Sequence, residues 1–523
     1  MVSDTRKPAL IVLVSAFLLL IVGLTPKIEK ARAIETICIR TNGLIDPPTA
    51  SILNDKNTTY TLTGNINASL IVERSDITID GTNHAIQGMD TYNDSSKGVH
   101  LYNVTNVTVK NLTVRGFFCG IFMYLASNNT IMNCNLINNG DGIYAESSSN
   151  NSLIESTVTD SRYYGIVSYR SNYNTLLANN ISSNRDYGIR ITSAKHNHLS
   201  KNNITNNGGF GARIENSFNN TIAENLISSD YIGIWFYPSG NNTIFNNTIA
   251  SNTYAGLKVE YSNSTNNSIQ SNQISNNNCG LYINSFAGKN TIQGNTIANN
   301  TRGIQISSAN NNTIFHNNLI NNTQQVSTDN SLNIWDNGIE GNHWSNYTGA
   351  DADNDGIGDS IHSINENNTD NHPLMGMFYD FRVEAELGHK YNVQAISNST
   401  LQSLRVLWWL SSPNQYLQPG QKHIQIMLEG ETNTTGFCRM TIPRNVLNGT
   451  PYIVLVDGHE IPTNELATSN STQAIIYFTY QHSQHEIIII PELSATKLLP
   501  ILILATMLPN AILKKRTKRR NSS

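Results

Sequence analysis

The stretch TGADADNDGIGDS, residues 348 to 360, sets Asp351, Asp353, Asp355 and Asp359 around Gly356 in a chain of 523 residues of which only 14% are charged. An average soluble protein carries about 25%. Alternating carboxylates, a turn glycine and a backbone carbonyl are what a hard divalent cation asks of a short loop. The expected ligands are Asp351, Asp353, Asp355, the Ile357 carbonyl and Asp359, with Asp370 as a late addition, and the expected ion is calcium in a structural role. His362 stands where an EF-hand would place its bidentate Glu, and no helix signal flanks the loop, so it is not an EF-hand. A solvated acidic turn is the competing account.

The second set of residues with chemistry in them is spread over the middle of the chain. Glycine followed by an apolar residue recurs at Gly98, Gly120, Gly142, Gly165, Gly188, Gly211, Gly233, Gly256, Gly280 and Gly303. In the short strand after each glycine the first and third residues are apolar and face inward, so the second and fourth face out. The second positions read His100, Phe122, Tyr144, Val167, Arg190, Arg213, Trp235, Lys258, Tyr282 and Gln305; the fourth read Tyr102, Tyr124, Glu146, Tyr169, Thr192, Glu215, Tyr237, Glu260, Asn284 and Ser307. Rings and charges collected on one face suit a polysaccharide, with Phe122, Tyr124, Tyr144, Tyr169, Trp235, Tyr237 and Tyr282 as expected carbohydrate-binding residues. Aromatics shielding an exposed sheet would leave the same pattern.

Catalysis on that face has candidates too. Glu215 and Glu260 fall two coils apart in one column, near the separation of a glycosidase carboxyl pair. Arg190 and Arg213, with Lys258, would serve a lyase. Nothing in the sequence separates these groups from surface charge, so an enzyme is the less favoured expectation.

The element that must position such a face is a coil. Steps of 22 to 24 residues are the signature of a solenoid, and short β-branched strands punctuated by Gly and Asn make it a parallel β-helix. Each repeat carries NNTI or a relative of it, predicting inward residues at Ile222, Ile244, Ile269 and Ile292 and, five residues on, at Ile227, Ile249, Ile274 and Ile297. Two Asn ladders are expected at corners, one through Asn220, Asn242, Asn267 and Asn290, the other through Asn225, Asn247, Asn272 and Asn295, because Asn tolerates a left-handed backbone and bonds locally. Sequons such as Asn219, Asn241 and Asn311 follow from this corner motif, which leaves Asn57, Asn398 and Asn448 as the better glycosylation candidates.

The ends are read separately. An apolar run after Arg6 and Lys7, then ARA at 31 to 33, resembles a secretory leader, with an uncleaved anchor as the alternative. Near the other end, LLPILILATMLPNAIL precedes KKRTKRR, an apolar segment followed by a positive-inside signal. Setting aside five basic and two acidic residues before 34 and seven basic residues after 492 leaves 34 to 492 at a formal −14, which argues against nucleic acid as a partner. Five cysteines, Cys38, Cys119, Cys134, Cys279 and Cys438, form neither a disulfide framework nor a metal spacing. From 377 to 492 the repeat is gone, and RVLWWL, KHIQIMLEG, YIVLVDG and AIIYFTYQ read as strands of a β-sandwich.

TYTLTGNINASLIVERSDITIDGTNHAIQG (59 to 88), the Gly-Ile and NNTI coils, and EGNHWSNYTGADADNDGIGD together resemble the NosD-like β-helix family, abundant in archaeal surface proteins. The resemblance spans roughly 50 to 375. It implies a right-handed β-helix of the carbohydrate-binding and sugar-hydrolysing class. The family's namesake assists copper-site assembly, but thiols and methionines are sparse here. His196 with His198 and His482 with His485 read as loop histidines, so a copper role is disfavoured.

The expected whole is an all-β chain: a leader or anchor (1–33), a parallel β-helix with an N-terminal cap (34–340), an Asp-rich calcium-loop cap (341–376), a β-sandwich (377–492), and a transmembrane segment with a basic tail (493–523). It is expected at the cell surface, exported and membrane-anchored, with extracellular polysaccharide as partner. A polysaccharide lyase or glycoside hydrolase and a purely structural envelope protein are the alternatives.

Overall fold

The computed structural model describes residues 35–492 apart from 90–94, 330, 387, 411–415, 417 and 418. The expected leader and C-terminal apolar segment lie outside the described residues. Every named element is a strand. One coil runs Asp141–Glu146, Ser152–Ile154, Thr157–Thr159, and the chain then returns at Ile166–Tyr169 to pair in parallel with the strand it left. Repetition builds three sheets of 14, 13 and 12 strands around one core. The front sheet holds the strands that follow each glycine. The expected inward residues, Ile222, Ile244, Ile269 and Ile292 with Ile227, Ile249, Ile274 and Ile297, lie on the other two sheets and are all fully buried in the shared core.

The recurrent glycine has a steric cause. A Cβ on Gly233 would lie 2.6 Å from the Gly256 carbonyl oxygen and 3.0 Å from the Asn252 amide, and Gly256 meets Gly280 and Asn277 in the same way. The coils stack too closely there for any side chain.

Three corners carry ladders, not two. The expected pair are present: Asn220 Nδ2 donates to Asn242 Oδ1 at 3.1 Å, and Asn225 Nδ2 donates to Asn247 Oδ1 at 2.9 Å. The third runs just before the front sheet through Asn184, Asn207, Asp230, Asn252, Asn277, Asn300 and Asn322. The left-handed backbone belongs to the residue before the ladder Asn, as at Asn219, Asn241 and Asn311. These three sequon residues are exposed, so burial does not remove them as glycosylation acceptors.

The coil closes over Trp335 and Trp344, both 1% exposed. The second ladder passes from Asn317 to Asn342 and ends on Asp370, whose Oδ2 accepts the Asn342 N–H and Trp344 Nε1–H, both at 2.8 Å. Asp370, expected as a late cation ligand, is instead the buried terminus of the ladder; its burial pushes the carboxyl up to about 6.

Two five-stranded antiparallel sheets follow, sharing a core that includes Val393, Ile424, Cys438, Ile476 and Ile487. They join the solenoid through a short polar bracket. Asn318 donates to the Phe378 carbonyl and accepts its N–H, His316 stacks on the Phe378 ring at 4.0 Å, and Arg439 reaches Glu340.

Candidate functional site

Strand pairing sets the outward residues of the front sheet in the expected columns. His100, Phe122, Tyr144, Val167, Arg190, Arg213, Trp235, Lys258, Tyr282 and Gln305 are successive partners, and Glu215 lies beside Tyr237 in the next column. Val167 alone of its column is buried, at 5% exposure. A third row was not anticipated. Tyr164, Tyr187 and Phe210, each directly before a repeat glycine, with Tyr231 and Tyr254 beside them, form a wall along the sheet edge. The signal was available as an aromatic preceding Gly165, Gly188 and Gly211.

The rings mostly cover one another. Tyr102 on Tyr124, Phe122 on Tyr144, and Tyr187 on Phe210 stack at 5.9, 5.7 and 4.7 Å with interplanar angles of 10°, 18° and 21°. Arg213 and Lys258 lie over the Trp235 ring at 4.6 and 5.0 Å from its centroid. Coils repeat about 4.8 Å apart, the spacing of such stacks, so the face offers ring edges, hydroxyls and charges more than open ring planes. Tyr169 is partly covered by Arg170, 4.9 Å from its centroid.

The charges are also paired. Glu215 accepts from Arg190 at 3.0 Å and lies 3.5 Å from Arg213. Glu260 lies 3.0 Å from Lys258 and accepts from Trp235 Nε1 at 3.1 Å and Asn284 Nδ2 at 3.2 Å. Both carboxylates thus hold cations in place; neither sits in an apolar pocket of the kind that readies a glycosidase acid. One group the sequence did not single out is Asp141, in the row before the glycines. It is 7% exposed, accepts the Tyr164 N–H at 3.2 Å, and burial pushes its carboxyl up to about 6.

In the Asp loop, Asp351 accepts the N–H groups of Asp355 and Gly356, each at 2.9 Å, and Asp355 accepts that of Ile357 at 2.8 Å. Gly356 takes φ +85°, as the turn requires. One oxygen each from Asp351, Asp353 and Asp355 lie within 4.8 Å of one another. Burial raises the Asp351 and Asp355 carboxyls. Three hard oxygens converging where like charges are partly desolvated fit a divalent cation of calcium's kind. Asp359 turns instead to the Ala352 N–H at 2.7 Å, and Ile357 bridges to Leu374. Of the histidine pairs, His196 stacks on Tyr173 at 4.8 Å, His482 bonds to Ser399 at 2.8 Å and His485 to Asp457 at 2.7 Å.

Comparison with known proteins adds two family matches. Residues 194–349 match the family described as periplasmic copper-binding protein (NosD), and residues 97–231 match the right-handed β-helix region. Comparison with curated proteins gives no match. Among solved structures, the A-module of the Azotobacter vinelandii mannuronan C-5 epimerase AlgE6 is 18% identical, covering 52% of this chain and 84% of its own, with a TM-score of 0.39. The Dettilon tailspike protein is 13% identical over 81% and 87%, with a TM-score of 0.33. DFA-IIIase from Arthrobacter chlorophenolicus A6 is 12% identical over 52% and 72%, with a TM-score of 0.36. Scores this low carry no argument about activity. The family matches and the coil geometry agree on architecture: the chain carries a NosD-like right-handed parallel β-helix.

Proposed function

We propose that the protein is an exported, membrane-anchored cell-surface β-helix whose front sheet holds an extracellular polysaccharide along the coil axis. The observation that carries this is the concentration of rings and paired charges in register on the front sheet. Tyrosine hydroxyls, ring edges and the Arg190–Glu215 and Lys258–Glu260 pairs would bond sugar hydroxyls at a repeat of about 4.8 Å. Co-sedimentation with a panel of neutral and acidic polysaccharides tests it. Trp235→Ala with Tyr282→Ala should weaken retention about tenfold, as expected for losing two aromatic contacts. Undiminished retention would remove the front sheet from the reading, and no retention by the native protein would leave an envelope scaffold.

A second reading follows from Asp141. A buried carboxyl raised to about 6 beside Tyr144 and Tyr164 is a general base poised for proton abstraction, as a polysaccharide lyase needs. Turnover would then rise with pH through about 6 and vanish in Asp141→Asn. Polymer size measured in the same incubations decides between holding and cutting.

The Asp loop takes calcium as a structural ion in this proposal, held by Asp351, Asp353 and Asp355, with the Ile357 carbonyl and Asp359 as further ligands that would have to turn inward. Calcium at a hundred times its dissociation constant stabilises by about 2.7 kcal/mol. Chelator should therefore lower the melting temperature, and Asp353→Asn should abolish the difference. Equal melts with and without chelator would refute the site.

A further inference from the structure

The two ends of the sandwich differ in what they meet. One meets the solenoid through Phe378 and Arg439. The other lies at the far end of the facing sheet: Thr400–Trp408 starts three residues after Ser397, the partner of Met377, and carries the chain roughly 25 Å away, for eight residues at about 3.3 Å each. Register fixes what gathers there. Trp408 pairs with Lys422, and Ile424 two residues on pairs with Ile489, so the hairpin end of Thr400–Trp408 and Lys422–Glu429 lies beside the last strand's exit at Pro491. Gln421 Nε2 donates to the Pro491 carbonyl at 3.1 Å and ties the two together.

Two large apolar side chains meet solvent at this end among the described residues. Trp408, the last residue of the edge strand, is 57% exposed and Leu410, two residues past it, 87%, with Trp409 half-buried between them. Lys422 sits over the Trp408 ring at 5.1 Å. An exposed Trp408 closing an edge strand and an exposed Leu410 just past it, with Trp409 packed on His423 between them, are a liability unless something covers them. The sequence beyond points to an occupant. The apolar run LLPILILATMLPNAIL starts at Leu498, six residues past Glu492, and KKRTKRR follows it. Six residues reach about 20 Å at most, so an apolar run in the bilayer would hold the exit end close to its surface. Tryptophan rings with a lysine alongside are the composition of the membrane–water interface.

We propose that the end carrying Trp408, Trp409 and Leu410 is a membrane-interface foot that seats in the headgroup region of the bilayer and fixes how the solenoid stands on the membrane. The proposal rests on the anchoring reading of the C-terminal segment. It assigns the foot to a lipid surface and not to a second copy pairing along the edge strand.

The test uses the full chain in phosphatidylcholine vesicles whose acyl chains are brominated near the headgroup, read by tryptophan fluorescence and by flotation. The protein has five tryptophans, and the other three, Trp235, Trp335 and Trp344, lie in the solenoid and its cap. Brominated lipid should quench part of the emission, and that quenching should be lost in Trp408→Phe with Trp409→Phe while flotation stays unchanged. Flotation without quenching overturns the foot and leaves the anchor standing. Failure to float overturns the anchoring reading and the foot with it. Dimers cross-linked through the Thr400–Trp408 strand, with no quenching, would give the face to a second copy and overturn the proposal.

Discussion

Asp230→Asn should raise the unfolding midpoint of the solenoid at pH 8 to 9 and leave it nearly unchanged at pH 4. The third ladder is otherwise asparagine, and its amides donate in two directions. Asn207 Nδ2 donates to the Ile181 carbonyl, and Asn252 Nδ2 to the next ladder oxygen on Asn277. Asp230 Oδ1 accepts the Asn207 N–H at 2.7 Å, so Oδ2 occupies the place of the amide nitrogen, 2.5 Å from where a Cβ on Gly211 would be. That oxygen is buried without a hydrogen-bond partner, in a residue 1% exposed. As a carboxylate it would face acceptors; as a protonated acid it donates like the amide it replaces. Burial accordingly pushes Asp230 up to about 8.

The sign follows from proton binding. Between the ordinary 3.8 and about 8 the folded chain holds a proton that the unfolded chain has released, so stability falls as pH rises through this window. The stability is fully present below 3.8 and lost above about 8, at about 1.4 kcal/mol per pH unit. Asparagine has no proton to lose and restores both donor directions. Thermal melts of the two proteins from pH 4 to 9 check this, and parallel curves would refute it.

The solenoid was legible because its period is strict. Once Gly211, Gly233 and Gly256 are aligned, the columns through Arg213, Trp235 and Lys258 follow, and pairing reproduces them residue for residue. What escaped was the third ladder, because Asp230 and Ser161 interrupt its asparagines and because Phe210 and Tyr187 stand between it and the glycine. Ring orientation was not legible either. A column of aromatics reads the same whether its rings lie open to a sugar or stack face to face, and the coil spacing chose the latter for most of them. Asp141 looked like one acidic residue among 38, and only the folded chain shows it buried under the Tyr164 N–H. The joint at Arg439 joins residues 84 and 99 positions apart, beyond any local pattern.

That joint should carry the largest effect in the C-terminal half. Arg439 is 1% exposed; its Nη1 donates to the Asp355 carbonyl at 2.7 Å and lies 3.5 Å from Asp355 Oδ2, and its Nη2 donates to Glu340 Oε1 at 2.8 Å. One guanidinium from the sandwich therefore holds both the Asp loop and the segment that closes the solenoid. Burial alone would raise the Glu340 carboxyl; the hydrogen bond from His316 and the charge of Arg439 together outweigh it and hold it below the usual range. Arg439→Met leaves Glu340 buried beside a single imidazole, and breaking a buried pair from one side costs about 3–5 kcal/mol. Calorimetry should show the sandwich melting apart from, and below, the solenoid. Arg439→Lys should not rescue it, because an ammonium cannot reach both acceptors with a planar fork. Adding Glu340→Gln to Arg439→Met should recover part of the loss, since it removes the stranded charge. Against the native protein, the double variant should also lack the loss of stability on acidification that follows from a depressed carboxyl, a contribution present above its unfolded value near 4.5 and lost as pH falls through its folded one. A single variant that melts like the native protein would mean that the two halves meet without this arginine. A double variant no better than the single one would mean that lost packing, and not a stranded carboxylate, sets the cost.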